Sequence, residues 1–141
     1  MNYIKRAFRR KKEKGWPKVY IAVDLHDTVI TGTYNRMNVG AVPFPGAVEV
    51  LKRWTDREDI CLILWTPSYL DAADAIRARF LTEHGVRFDL WNENTEVPSG
   101  DLCDFSKKWY FDILLEDKAG FEAATDWLKI KQTLIEIGEW D

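Results

Sequence analysis

The sequence predicts an α/β fold built on a mainly parallel sheet, and three observations carry that prediction. Short, continuous apolar runs alternate with stretches of helical periodicity, the pattern of strand–helix–strand crossovers. The runs lack polar alternation, so the sheet they form must be covered on both faces. Polar residues close three of the four runs: Asp24, Thr66 and the pair Glu116-Asp117.

Each element follows in order. Val19–Val23 is apolar throughout and stops at Asp24, a first strand. A polar loop with glycines follows over 31–40. Pro43–Pro45 then gives way to a helix in which Ala47, Val50, Leu51 and Trp54 fall on one face. Ile60–Trp65 is the second buried strand. Ser68 is placed to cap the next helix, with Leu70, Ala73, Ile76, Ala78, Phe80 and Leu81 as its apolar residues and Gly85 as its terminator. His84 sits in the last turn, where a cation offsets the helix dipole. Val86–Trp91 reads as a third strand, 92–104 as a polar loop, and Phe111–Leu115 as a fourth strand. One more helix is expected within 122–137, where Trp127, Leu128, Ile130, Leu134, Ile135 and Ile137 recur.

A chain of 141 residues holds one domain with one core. No apolar stretch approaches the roughly 20 residues of a membrane helix, and no apolar segment of a secretory signal follows the basic N-terminus. Two cysteines are too few for a disulfide framework, and Cys61 lies within an apolar run, so a cytoplasmic setting is expected. Charge is unevenly placed. Residues 1–18 carry eight Lys/Arg against Glu13, a surplus of seven; with −3 for the whole chain, residues 19–141 carry −10. The sequence therefore divides into a basic N-terminal arm, 1–18, and a single α/β domain, 19–141. The arm is either an amphipathic helix docked on the acidic body through Ile4 and Phe8, or a seat for a phosphate-rich partner such as nucleic acid.

Parallel sheets place ligands at the carboxyl ends of their strands. Residues spread over about ninety positions are therefore expected to meet there: Asp24, Thr66, Lys107 or Lys108, and Glu116-Asp117. Carboxylates converging without His or Cys ligands suit a hard cation, Mg²⁺ best when phosphate supplies further oxygens. Lys neutralises phosphoryl oxygens, and a Thr hydroxyl beside helix N–H groups holds them. An Asp beside the metal can attack phosphorus.

The motifs resemble those of the haloacid dehalogenase-like (HAD) superfamily. Ile21-Ala-Val-Asp24-Leu-His-Asp-Thr28-Val resembles motif I, an apolar strand followed by Asp-x-Asp-Gly-Thr. Leu62-Ile-Leu-Trp-Thr66 resembles motif II, Lys107/Lys108 stands where motif III has its Lys, and Ile113-Leu-Leu-Glu116-Asp117 resembles motif IV. Pro43-Phe-Pro-Gly-Ala-Val-Glu-Val-Leu is similar to the start of the family's first helix. The resemblance spans 19–121, with its motifs in the family's order. It implies a Rossmann-like three-layer sandwich with a minimal cap. It implies Asp24 as nucleophile and metal ligand, and Thr66 with Lys108, or Lys107, as the phosphate binders. Mg²⁺ would be held by Asp24, Glu116, Asp117 and the backbone carbonyl of His26. A phospho-acceptor receiver domain joins similar groups, but its acidic pair follows the first strand and its Lys comes last.

His26 is the departure that matters. Family phosphatases have there a second Asp, which protonates the leaving oxygen and activates water. An imidazole suits the same work, its ordinary pKa being roughly 6.5, and Asp27, where Gly is usual, is a second candidate acid. The expected function is a Mg²⁺-dependent phosphohydrolase working through an aspartyl-phosphate. The alternative is a catalytically impaired relative that binds a phosphorylated partner or nucleic acid. The gap 30–44 is too short for a helical cap, so the site is expected to be open to large substrates, and the basic arm tilts this toward nucleic-acid ends.

Overall fold

Four parallel strands form the sheet in the order β3-β2-β1-β4, in a computed structural model that describes residues 1–33, 35–100 and 103–141. Tyr34, Asp101 and Leu102, which fall in the predicted loops, lie outside the described residues. The strands are β1 (Val19–Asp24), β2 (Ile60–Trp65), β3 (Leu90–Trp91) and β4 (Ile113–Leu115), and among the described residues the helices are α1 (Asn2–Lys14), α2 (Ala47–Thr55), α3 (Leu70–His84) and α4 (Ala123–Glu136). β1 is central and buried along its whole length. It pairs with β2 from Val19↔Ile60 to Asp24↔Trp65 and with β4 from Ile21↔Ile113 to Val23↔Leu115.

Both edge strands are shorter than the apolar runs predict, and an aspartate accounts for each. Asp89 donates its N–H to Leu62 O (2.8 Å), while its carboxylate accepts the Leu62 N–H (2.9 Å). Asp112 does the same with Tyr20, at 2.7 and 2.8 Å. A side chain that takes over a ladder acceptor satisfies the neighbouring strand and lets the chain before it leave the sheet. Val86–Phe88 and Phe111 therefore stand outside β3 and β4.

The all-parallel sheet with its four helices is compatible with the expected Rossmann-like sandwich, and its two covers are unequal. Buried side chains of all four helices join one cluster with Val19, Ile21, Val23, Leu62 and Leu64, which share one face of the sheet. The opposite face, Tyr20, Cys61 and Ile63, is covered instead by Val97, Trp109 and Tyr110 from the long segment between β3 and β4. Among the described residues this second cover is irregular chain, not helix. Burial there pushes the Cys61 thiol up to about 12, so it stays protonated as part of the core.

Residues 1–18, set apart as an arm in the sequence, share the core of the rest. Ile4, Ala7 and Phe8 of α1 are buried in the main cluster, and Lys5 and Lys11 pair with Glu136 (3.2 Å) and Asp59 (3.1 Å). The helix stops at Gly15, whose φ of 65° is left-handed. In α3 the helix starts after Tyr69, not at Ser68, because the Ser68 hydroxyl bonds Thr66 Oγ1 instead (2.9 Å). Its buried side is Ala72, Ala73, Ile76 and Phe80, leaving Leu70 and Leu81 exposed. His84 precedes Gly85, as expected, and packs on Phe80. Gly46 opens α2 at φ 83°, where an added Cβ would lie 3.0 Å from Leu128 and 3.3 Å from Trp127; only glycine allows α4 this close.

Candidate metal centre

Asp24 and Glu116-Asp117 emerge side by side because β1 and β4 are neighbours in register, Val23 opposite Leu115. One carboxylate oxygen each from Asp24, Glu116 and Asp117 lies within 4.8 Å of the others. Residues some ninety positions apart thus meet at one rim of the sheet. Asp24 is buried, and Glu116 and Asp117 are partly so.

Thr28 organises the cluster, a role its place in the motif-I run did not reveal. The turn after β1 folds back through Val29 N–H and Ile30 N–H bonds to Leu25 O (2.9 and 3.1 Å). The Thr28 hydroxyl then donates to Asp24 Oδ2 (3.0 Å) and accepts the Asp117 N–H (3.1 Å). Trp127 of α4, itself fully buried, donates Nε1–H to Thr28 O at 2.7 Å. One residue therefore joins both acidic strand ends and the helix behind them. The sequence marks Trp127 only as an apolar helix position; its N–H partner is a tertiary fact.

The electrostatics ask for a cation. Burial, more than any neighbour, raises the Asp24 carboxyl above its ordinary range. Burial first, then Asp117 and Asp24, push Glu116 up to about 7. Asp117 is held low, first by the adjacent Glu116 carboxyl acting as a proton donor. Three carboxylates this close do not ionise together without positive charge. Asp117 Oδ1 is buried with no hydrogen-bond donor, whereas buried carboxylate oxygens are ordinarily satisfied. An all-oxygen donor set with an orphaned lone pair fits a hard divalent ion.

Thr66 is buried at the end of β2. Its backbone is clamped by Asn92, which accepts the Thr66 N–H (2.8 Å) and donates to Thr66 O (2.7 Å). Asn92 takes a left-handed φ of 53° to do so. Lys107 and Lys108 are exposed and line a groove with Trp65, Trp109 and Leu114. Trp65 is opposite Asp24 on β2, and Leu114 opposite Ala22 on β4. The groove therefore lies on the sheet face to which Asp24 points, and neither Asp24 nor Glu116-Asp117 lines it.

His26 lies outside the carboxylate cluster. Its Nε2 is hydrogen-bonded to Asn38 Oδ1 in the 31–44 loop. Asp27 adopts φ 58°, a left-handed backbone that Asp tolerates, and its carboxylate accepts the Gly32 N–H (3.2 Å). Both residues line a cleft of about 380 Å³ that faces Arg36, Ser68 and Tyr69. The 31–44 loop is tied back by Thr31 N–H to Val42 O (3.0 Å) and Phe44 N–H to Val29 O (2.9 Å) and holds no helix among its described residues. No helix of the described residues is long and apolar enough to cross a membrane. No protein-family model, no curated protein and no solved structure matches the chain.

Proposed function

We propose that this chain is a Mg²⁺-dependent phosphohydrolase of the HAD type, acting on an exposed phosphomonoester. The observation that carries the reading is the convergence of Asp24, Glu116 and Asp117 oxygens within 4.8 Å at one rim. Glu116, Asp117, Asp24 and the His26 carbonyl would hold Mg²⁺, which when bound neutralises the carboxylates and the phosphoryl oxygens. Asp24 attacks phosphorus, the bond to the leaving oxygen breaks, and an aspartyl-phosphate forms. Water then attacks phosphorus, releasing phosphate and restoring the Asp24 carboxylate. Thr28 holds Asp24 Oδ2 and so orients the nucleophile. Thr66 and Lys108, with Lys107 beside it, bind the phosphoryl oxygens. The direct test is turnover of an aryl phosphate with Mg²⁺, wild type against Asp24→Asn; absence of turnover by the wild type would overturn the reading.

His26 supplies the proton to the leaving oxygen in this scheme. His26→Ala is then expected to cost roughly 10²–10⁴-fold on an alkyl phosphate, and far less on an aryl phosphate, whose leaving group needs no proton. Equal losses on both substrates, or none, would remove His26 from the reaction and turn attention to Asp27→Asn. A second reading, a binding protein with impaired catalysis, is favoured by one observation: the His26 ring is already engaged by Asn38. It predicts Mg²⁺ binding without turnover.

Metal binding also has a pH signature. In the folded chain Glu116 keeps its proton up to about 7, against an ordinary value of 4.5. The unfolded state therefore loses that proton first, and metal-free stability falls as pH rises from 4.5 to about 7. Asp24, also raised, adds to the fall, and Asp117, held low, is already ionised in that window. Mg²⁺ should reverse it. A hundredfold excess over Kd is worth about 2.7 kcal/mol, so scanning fluorimetry should show a clear Tm gain at pH 8 and little at pH 5. Equal gains at both would place the ion elsewhere.

A further inference from the structure

With all four helices on one face of the sheet, the other face carries a band of aromatic rings. It starts at Trp65, opposite Asp24 in register and 41% exposed. Trp65 packs edge-on against Trp109 (5.6 Å between centroids), and Trp109 against Phe111 (5.6 Å). The adjacent Tyr110 meets Phe105 (5.8 Å) and then Trp16 (6.4 Å), which is 38% exposed beyond the start of β1. The band thus crosses the sheet from the acidic rim to the opposite end.

Cations flank it. Lys107 and Lys108 share the groove beside Trp65. Arg6 and Arg10, one α1 turn apart, line a groove of about 220 Å³ with Tyr110 and Phe111. Among the described residues none of these four joins an ion pair. Of the acids nearby, Glu96 pairs with Lys18 (2.8 Å), Asp112 lines the Arg6/Arg10 groove and accepts from Tyr110 and the Tyr20 N–H, and Asp104 shares a groove with Lys108 and accepts from Ser99 and Ser106. In a chain of net charge −3, two pairs of cations outside any ion pair border the rings, Lys107 and Lys108 beside Trp65 and Arg6 and Arg10 from α1 at the β4 edge beside Tyr110 and Phe111. A polyanion with stackable faces is the matching partner. An acidic peptide could meet the cations but would leave most of the aromatic faces unused, and a duplex keeps its base faces stacked inside.

We propose that this face binds single-stranded nucleic acid, its bases on the aromatic band and its phosphates on Arg6, Arg10, Lys107 and Lys108, so that a strand end reaches Asp24. Delivery of that end for hydrolysis rests on the phosphohydrolase reading above; the binding itself does not.

The test is fluorescence anisotropy of the full chain with a labelled 12-residue oligodeoxythymidine lacking terminal phosphates, over a salt series. The wild type is expected to bind it at least tenfold tighter than a duplex of the same length. Trp16→Ala should weaken binding about tenfold through lost stacking. The double variant Arg6→Ala/Arg10→Ala should flatten the slope of log affinity against log salt by about 0.7 for each phosphate that the variant no longer neutralises. Both variants should turn over an aryl phosphate like the wild type. No binding of the single strand, equal binding of the duplex, a Trp16→Ala variant that binds unchanged, or a dimer that buries Trp16 would each overturn the proposal. Lost binding with turnover intact sinks this inference alone; binding intact in a chain without turnover sinks only the phosphohydrolase reading.

Discussion

Asp24→Asn is expected to lower aryl-phosphate turnover on the order of 10⁴-fold or more, and at the same time to raise the Tm of the metal-free protein. The first effect follows from the proposed reading, in which Asp24 is the nucleophile and no other group takes its place. The second follows from burial. The Asp24 carboxyl is raised first by desolvation and faces Glu116 and Asp117, so replacing a charge by a neutral amide relieves repulsion in the absence of a cation. Asn keeps an oxygen to accept the Thr28 hydroxyl. Mg²⁺ should stabilise this variant less than the wild type, because one anionic ligand is gone. Turnover assays and thermal melts with EDTA or Mg²⁺ separate the two effects. A variant that is both inactive and less stable without metal would mean that Asp24 is a structural acid, held by Thr28 for the fold alone.

Trp127→Ala carries the largest expected cost to folding. Trp127 is fully buried in the main core, and its Nε1–H bonds Thr28 O at 2.7 Å. Truncating a buried Trp costs about 3–5 kcal/mol, a large part of the 5–15 kcal/mol that holds a typical domain together. Trp127→Phe is the more telling variant. It retains most of the packing against Phe121 (5.2 Å between centroids) but leaves Thr28 O without its donor, at a cost of about 1–3 kcal/mol. Since Thr28 joins Asp24 to Asp117, Trp127→Phe should also weaken Mg²⁺ binding. Urea unfolding read alongside Mg²⁺ titration decides this: lost stability with unchanged Mg²⁺ affinity would show that the Thr28 bridge stands without its support from α4.

Much of the candidate site was legible because it depends on local pattern. An apolar run ending in a polar residue marks where a strand surfaces, and Asp24, Thr66 and Glu116-Asp117 each stand at such an end. Parallel pairing then brings those ends to one rim whatever the intervening chain does. The helix from Gly46, the termination at Gly85 and the buried Cys61 were legible for the same reason. Thr28 and Trp127 were not, because a hydrogen bond across 99 positions leaves no trace in periodicity. The shortening of β3 and β4 has no mark in the sequence pattern because Asp89 and Asp112 imitate a backbone acceptor, a use of side chains that hydropathy does not register.

By itself, then, the sequence determined where the strands end, the parallel α/β class and which acids stand at those ends, since these follow from burial and chain direction. The tertiary structure alone decided that the helices share one face, that α1 belongs to the core, and that Thr28 bridges the acids while His26 turns to Asn38. Those outcomes depend on which surfaces meet. Hydrophobic periodicity says that a face must be covered; only packing says by what.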